Sequence, residues 1–232
     1  MLSGPRPAWV TFDCYGTLIQ WDEGLRDAVR AVLASHPNAI DPERLIETYD
    51  AYEHAIEKAQ PYRRFRDIAG EALGLALRDL GAGARDGDAE ILTNAIGRMP
   101  PFPEVVSVLG ALKRAAFRLC IISNTDDAMI AGNVAQLGGH IDRVVTAEQA
   151  GAYKPSRQIF DHAHRLLGVT GNDAVHVCAS PHLDLAATKA LGLRDVWIDR
   201  NSGRRPADGY RPAAVLPTLE GLPGLFRDAG WL

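Results

Sequence analysis

The sequence predicts an α/β fold: a doubly wound, mostly parallel sheet with an all-helical segment inserted after its first strand. Three observations carry this. Short apolar runs recur along the chain, each delivering a polar turn. Beyond about residue 100 they alternate with amphipathic helical patterns. Between Trp21 and about Arg98, by contrast, every periodic segment is helical. The chain has 232 residues, 47% apolar and 23% charged, enough to bury a substantial core without disulfides or a structural metal. Residues 1–20 and 99–232 are therefore expected to form the α/β core, and residues 21–98 a helical cap.

The first strand is Ala8 to Phe12, ending at Asp13-Cys14-Tyr15-Gly16-Thr17, where Gly16 permits a sharp turn. Leu25, Ala28, Val29, Val32 and Leu33 then fall on one helical face. Asp41-Pro42 starts a second helix with a capping acceptor and a first-turn proline, followed by an inward stripe of Leu45, Tyr49, Tyr52 and Ile56. Ala69, Ala72, Leu73, Ala76 and Leu80 define a third helix, and Ile91, Leu92 and Ala95 a fourth. After Met99-Pro100-Pro101 comes a helix from Pro103, a strand at Phe117–Ile122 and a helix from Asp126 to Leu137 closed by Gly138-Gly139. Val144-Val145 is a strand leading to Lys154-Pro155, and Ser156 caps the next helix. Ala174–Cys178 and Val196–Ile198 are strands around a helix at Leu183–Leu191, and a last strand and helical turn follow the loop Asn201–Arg211.

Bulk properties exclude several function classes. The net charge is −4, and Arg and Lys form no stripe that would track a phosphate backbone, so nucleic acid is not an expected partner. No apolar run is long enough for a membrane span, and the N-terminal segment lacks the pattern of a secretory signal. Cys14, Cys120 and Cys178 stand singly, without the spacing of a metal site or a disulfide framework, which fits a reducing cytoplasm.

Polar residues gather at the carboxyl ends of four successive strands: Asp13, Ser123-Asn124, Lys154 and Ser180 with Asp184. Each alone is ordinary, as a turn residue, a helix cap or a solvated loop. In a parallel sheet those ends converge, at the edge where open α/β sheets bind ligands. The segment Phe12-Asp13-Cys14-Tyr15-Gly16-Thr17-Leu18 resembles the first motif of the haloacid dehalogenase superfamily. Ile122-Ser123-Asn124, Lys154-Pro155 and Ala179-Ser180-Pro181-His182-Leu183-Asp184 resemble its second, third and fourth. The order and spacing agree over nearly the whole chain, so the resemblance implies a Rossmann-like core with a cap.

Two departures narrow the activity the resemblance implies. Phosphatases of the superfamily carry a second Asp two residues after the nucleophile; here Tyr15 stands there. Their fourth motif opens with a magnesium-binding Asp; here it opens with Ala179. Displacement of halide from carbon needs neither a protonated leaving group nor a metal, and Tyr15 is what the L-2-haloacid dehalogenase branch shows. The implied reaction is metal-independent hydrolysis of a short 2-haloacid, haloacetate or 2-halopropionate, with no cofactor. Asp13 is then the nucleophile, Lys154 its counter-charge, Asp184 the base, and Thr17 and Ser123 the positioning hydroxyls. Tyr15, Asn124 and Ser180 would meet the substrate, with Asn124 facing the departing halide. A cap arginine is also implied, and Arg63 and Arg66 are the candidates. Phe160 replaces a tyrosine of typical members and Pro181 an asparagine, departures that point away from the standard substrate to a smaller one such as haloacetate, even fluoroacetate. A homodimer is implied as well, with no interface legible. A magnesium-dependent phosphatase and a non-catalytic binding protein are the rival readings.

Overall fold

In a computed structural model of the chain, residues 2–37 and 39–232 are described; Met1 and Asn38 lie outside them. The sheet has six parallel strands: β1 (Trp9–Phe12), β2 (Arg118–Ser123), β3 (Arg143–Thr146), β4 (Ala174–Cys178), β5 (Arg194–Ile198) and β6 (Ala214–Leu216). Their order is β3-β2-β1-β4-β5-β6. The chain thus winds outward from β1 through β2 to β3, returns to lie beside β1 as β4, and winds outward the other way. Right-handed crossovers in both directions put helices on both faces. The point of reversal falls between β1 and β4, where a crevice opens at the carboxyl ends. Phe12 sits opposite Ile121 on one side and Val177 on the other, so Asp13 leaves the sheet at that crevice. Every residue of β1 and β4 is buried, as expected of central strands covered on both faces.

Four helices intervene between β1 and the rest of the core: α1 (Trp21–Leu33), α2 (Pro42–Glu57), α3 (Phe65–Asp79) and α4 (Asp88–Ile96). They pack chiefly on one another, α2 on α3 and α1 on α4. As expected, Asp41 caps α2 by accepting from the Glu43 amide at 3.1 Å. The inward face of α2 differs from the expected stripe. Leu45, Tyr49 and Glu53 are buried, whereas Tyr52 is half-buried and hydrogen-bonds Asp79 at 2.5 Å. On α4, Leu92 faces inward but Ile91 is 37% exposed.

The core helices are α5 (Val105–Arg114), α6 (Asp127–Val134), α7 (Ala147–Ala150), α8 (Arg157–Leu167), α9 (Ala186–Leu191) and α10 (Leu222–Asp228). Ser156 caps α8, as expected, through its hydroxyl and the Gln158 amide. The short α7 has no counterpart in the expected elements, because one turn carries no readable periodicity. The expected helix at Leu183–Leu191 is split: Pro181–Leu185 forms a π-helical turn and only Ala186–Leu191 is α-helical. Such a bulge in a helix start re-aims the side chains that it carries. Among the described residues no helix is long and apolar enough to cross a membrane.

Candidate active site

Asp13 follows β1 directly and its amide still donates to Val177 of β4 at 3.0 Å, which fixes the carboxylate at the sheet's end. Gly16, at φ +79°, turns the chain so that Thr17 folds back. The Thr17 hydroxyl donates to Asp13 Oδ2 at 2.6 Å while accepting from the Ala179 amide at 2.8 Å, which ties the first and fourth motifs together. Lys154 Nζ donates to Asp13 Oδ1 at 2.7 Å and to Asp184 Oδ1 at 2.8 Å. All three side chains are almost wholly buried. One ammonium therefore serves two carboxylates in a medium where each charge needs its partner. Lys154 is held well above the ordinary lysine range despite burial, by Asp13 and then Asp184. Burial, aided by the nearby Asp184 charge, pushes Asp13 up against the pull of Lys154. Asp184 is also buried, yet Lys154 and His176 hold it below the usual carboxylate range.

His176 is a residue that the sequence reading missed. It sits in β4, its Nε2 2.9 Å from Asp184 Oδ1 and its Nδ1 2.9 Å from the Thr11 hydroxyl. A carboxylate only accepts, so Nε2 carries the proton. Phe160 meets this ring edge-on at 5.4 Å and is not among the residues that line the cavity above Asp13. Nothing in the apolar pattern of Ala174–Cys178 marked His176, because its partner lies eight residues on, across the π-helical turn. Asp184 Oδ2 is buried and makes no hydrogen bond to any described residue.

Above Asp13 lies a cavity of about 250 Å³. From the core it is lined by Asp13, Tyr15, Ser123, Asn124, Lys154 and the loop Ala179–Leu183. The helical insert contributes Trp21, Asp50, Glu53, His54, Glu57 and Phe65, and the late loop contributes Arg204. Tyr15 turns its hydroxyl away from Asp13, donating to Asn133 Oδ1 at 2.9 Å, and presents its ring beside Trp21. Burial pushes this phenol well above its ordinary range, so it is no acid for a leaving group. Ser123 Oγ is buried, lines the cavity and has no partner among the described residues. The Asn124 side chain is mostly occupied: it accepts from the Lys154 amide at 2.6 Å and donates to the Lys154 carbonyl at 3.1 Å. It holds Lys154 in place, with one amide hydrogen left over. Ser180 lines the cavity and caps the π-helical turn, accepting from Leu183 at 3.2 Å.

Arg63 and Arg66 are not brought to this site. Arg63 pairs with Glu71 at 2.6 Å on the exposed flank of α3, and Arg66 also points outward. Their segment is a docking strip. The Phe65 and Arg66 amides donate to Asp126 of the core at 2.9 and 2.8 Å, and the Tyr153 hydroxyl donates to the Arg63 carbonyl at 2.8 Å. Arg64 pairs with Glu148 at 3.1 Å. The backbone must face the core to make these contacts, so the arginine side chains face solvent. The cation that the cavity does receive from outside the core motifs is Arg204, itself paired with Asp22 at 2.8 Å.

The donor set does not fit magnesium. Both Asp13 oxygens are engaged by protein donors, residue 179 is alanine, and the Lys154 ammonium already links Asp13 to Asp184. A hard cation that wants roughly six oxygens finds too few. His176, Cys178 and Asp184 cluster within 4.8 Å, but burial pushes the Cys178 thiol well up and the other two already bond each other.

A haloacid dehalogenase-like hydrolase family model matches residues 8–192. The chain belongs to that family. It is 25% identical to haloacetate dehalogenase H-2 of Moraxella sp. (strain B), over 94% of this chain and 96% of that one. It is 28% identical to (S)-2-haloacid dehalogenase 4A of Burkholderia cepacia, over 87% and 86%. Its fold resembles that of L-2-haloacid dehalogenase from Xanthobacter autotrophicus with chloropropionic acid covalently bound: TM-score 0.81, 22% identity, covering 95% of this chain and 98% of that one.

Proposed function

We propose that this chain hydrolyses the carbon–halogen bond of a short 2-haloacid, with Asp13 as nucleophile and residues 21–98 acting as a cap over the site. The observation that carries the reading is the Lys154 ammonium bonded to Asp13 and Asp184 together, at the floor of a cavity between the sheet's end and the helical insert. The named activities of the Moraxella and Burkholderia relatives support it.

In this reading Ser123 Oγ, Ser180 and the spare Asn124 hydrogen receive the substrate carboxylate and halide, and the Tyr15 and Trp21 rings enclose the carbon skeleton. Asp13 attacks the carbon bearing halogen; the C–O bond forms as the C–X bond breaks, and halide leaves with the bonding pair. Water then adds to the ester carbonyl of Asp13, giving a proton to Asp184, whose Oδ2 is the free acceptor. The tetrahedral centre expels the 2-hydroxy acid's oxygen, which takes that proton, and Asp13 returns to its carboxylate by releasing one proton to solvent. Water and haloacid become hydroxy acid, halide and a proton. Assembly as a homodimer and a cytoplasmic setting belong to the same reading, the latter supported by three free, buried cysteines.

The test is halide release from 2-chloropropionate and haloacetates, with Asp13→Asn as control. Release by the wild type that falls at least about 10³-fold in the variant is expected. No release across the panel would refute the reading.

A further inference from the structure

The wall facing Asp13 has the opposite charge from what a simple haloacid needs. Asp50, Glu53, His54 and Glu57 fall at i, i+3, i+4 and i+7 of α2 and all line the cavity. Counting the whole lining, four carboxylates (Asp13, Asp50, Glu53, Glu57) meet two cations (Lys154, Arg204). Lys154 is committed to Asp13 and Asp184, and Arg204 to Asp22. Among the described residues no lysine or arginine forms an ion pair with Asp50, Glu53 or Glu57; His54 lies 3.5 Å from Glu53, and the charges of Arg204 near Asp50 and of Lys154 and Lys58 near Glu57 offset their burial only in part.

Glu53 is only 7% exposed, and its carboxyl lies within hydrogen-bonding reach of Glu57. Burial pushes Asp50 up to about 6 and Glu53 up to about 7, and holds Glu57 well above the usual range. Two adjacent carboxyls that must share a proton are a poor structural choice for a helix face, because an apolar pair would pack there without that cost. The opposite wall holds the buried, unpartnered Ser123 hydroxyl, so the space between is built to receive a polar guest. About 250 Å³ of cavity exceeds what a two-carbon acid occupies, set against the ~10–15 Å³ that one water requires.

Building on the dehalogenase reading, we infer that the substrate is an amine-bearing 2-haloacid, its ammonium held by Glu53 and Glu57 with Asp50 at their side and its carboxylate at the Ser123 end. The ammonium supplies the missing counter-charge and lets the carboxyl pair ionise. The aliphatic stretch between the two ends lies against Tyr15, Trp21 and Phe65.

The test compares chloride release from 6-amino-2-chlorohexanoate and 2-chlorohexanoate, alongside 2-chloropropionate. The amine is expected to raise kcat/KM by at least about tenfold, the effect of one charge-assisted hydrogen bond to a buried carboxyl. In the Glu53→Gln, Glu57→Gln double variant that ratio falls to near one. Both substitutions remove charge from a buried site, so the variant retains its fold. Calorimetric titration of the wild type with 6-aminohexanoate and hexanoate gives a readout independent of turnover, with the amine binding more tightly and the variant losing the difference. Chloride release from all three acids with no preference for the amine would overturn this inference and leave the dehalogenase reading standing. No release from any of them would overturn that reading, and the titration then decides the inference: an amino acid that binds no tighter than hexanoate, or not at all, overturns it.

Discussion

Lys154 is the residue on which the site's electrostatics turn. Among the described residues its ammonium is the one lysine or arginine charge paired with these two buried carboxylates, so replacing it leaves two anions facing each other in a dry crevice. Lys154→Met is expected to lose halide release and to cost roughly 3–5 kcal/mol of stability near neutral pH, the usual penalty for orphaning a buried charge. The sign with pH follows. In the variant the folded state takes up a proton that the unfolded state does not, so stability recovers as pH falls from 8 towards 5. Urea midpoints at those two pH values check it, and a variant equally stable at both would contradict the assignment. Residues of this kind were legible in the sequence, since Asp13, Thr17, Lys154 and Asp184 each lie in the segment that follows a strand's carboxyl end. His176 and Glu53 were not, because each sits inside an element where a polar residue looks like an exception to an apolar pattern. Arg63 and Arg66 misled for a related reason: charge says nothing about which way the backbone must face to meet Asp126.

At the scale of elements, α2 carries both the packing of the helical insert and the acidic wall. Apolar periodicity placed Leu45 and Tyr49 correctly, but it assigned the next inward turn to Tyr52, where the structure buries Glu53. The spacing of Asp50, Glu53, His54 and Glu57 was the available signal; a charged face on a helix ordinarily means solvent, which is why it was passed over. Burying that face has a measurable consequence. Burial raises Glu53 from an ordinary glutamate to about 7, so the folded state holds a proton that the unfolded state has released. Stability from this group is fully present below about pH 4.5 and lost as pH rises through 7, on the order of 3 kcal/mol at most. Relative to Glu53→Gln, the wild type is therefore expected to lose stability between pH 5 and pH 8 in chemical denaturation. A difference that stays constant, or grows in favour of the wild type, would show that the side chain is solvated.

For the molecule as a whole, strand order explains why a site assembled from distant segments was readable at all. The reversal between β1 and β4 brings Asp13 and the Ala179–Asp184 loop together whatever the loops do in detail, and alternating strands and helices announced that topology. The split of the fourth-motif helix and the seating of the insert on the core were not readable, since they depend on contacts between segments with no shared pattern. Because the donors around Asp13 do not fit magnesium, halide release is expected to be unchanged after dialysis against EDTA and unaffected by added magnesium. A fall beyond about tenfold that magnesium restores would reverse the charge assignment at the sheet's edge. Asp126 carries a further consequence. Helped by Tyr153 and Glu148, this carboxylate buttons α3 to the base through two main-chain amides, and it lies outside the cavity lining. The exposed lining residues His54, His182 and Arg204 mark the cavity's open side. Because the Phe65 side chain lines the cavity while its amide is held by Asp126, this carboxylate sets one wall of the site without entering it.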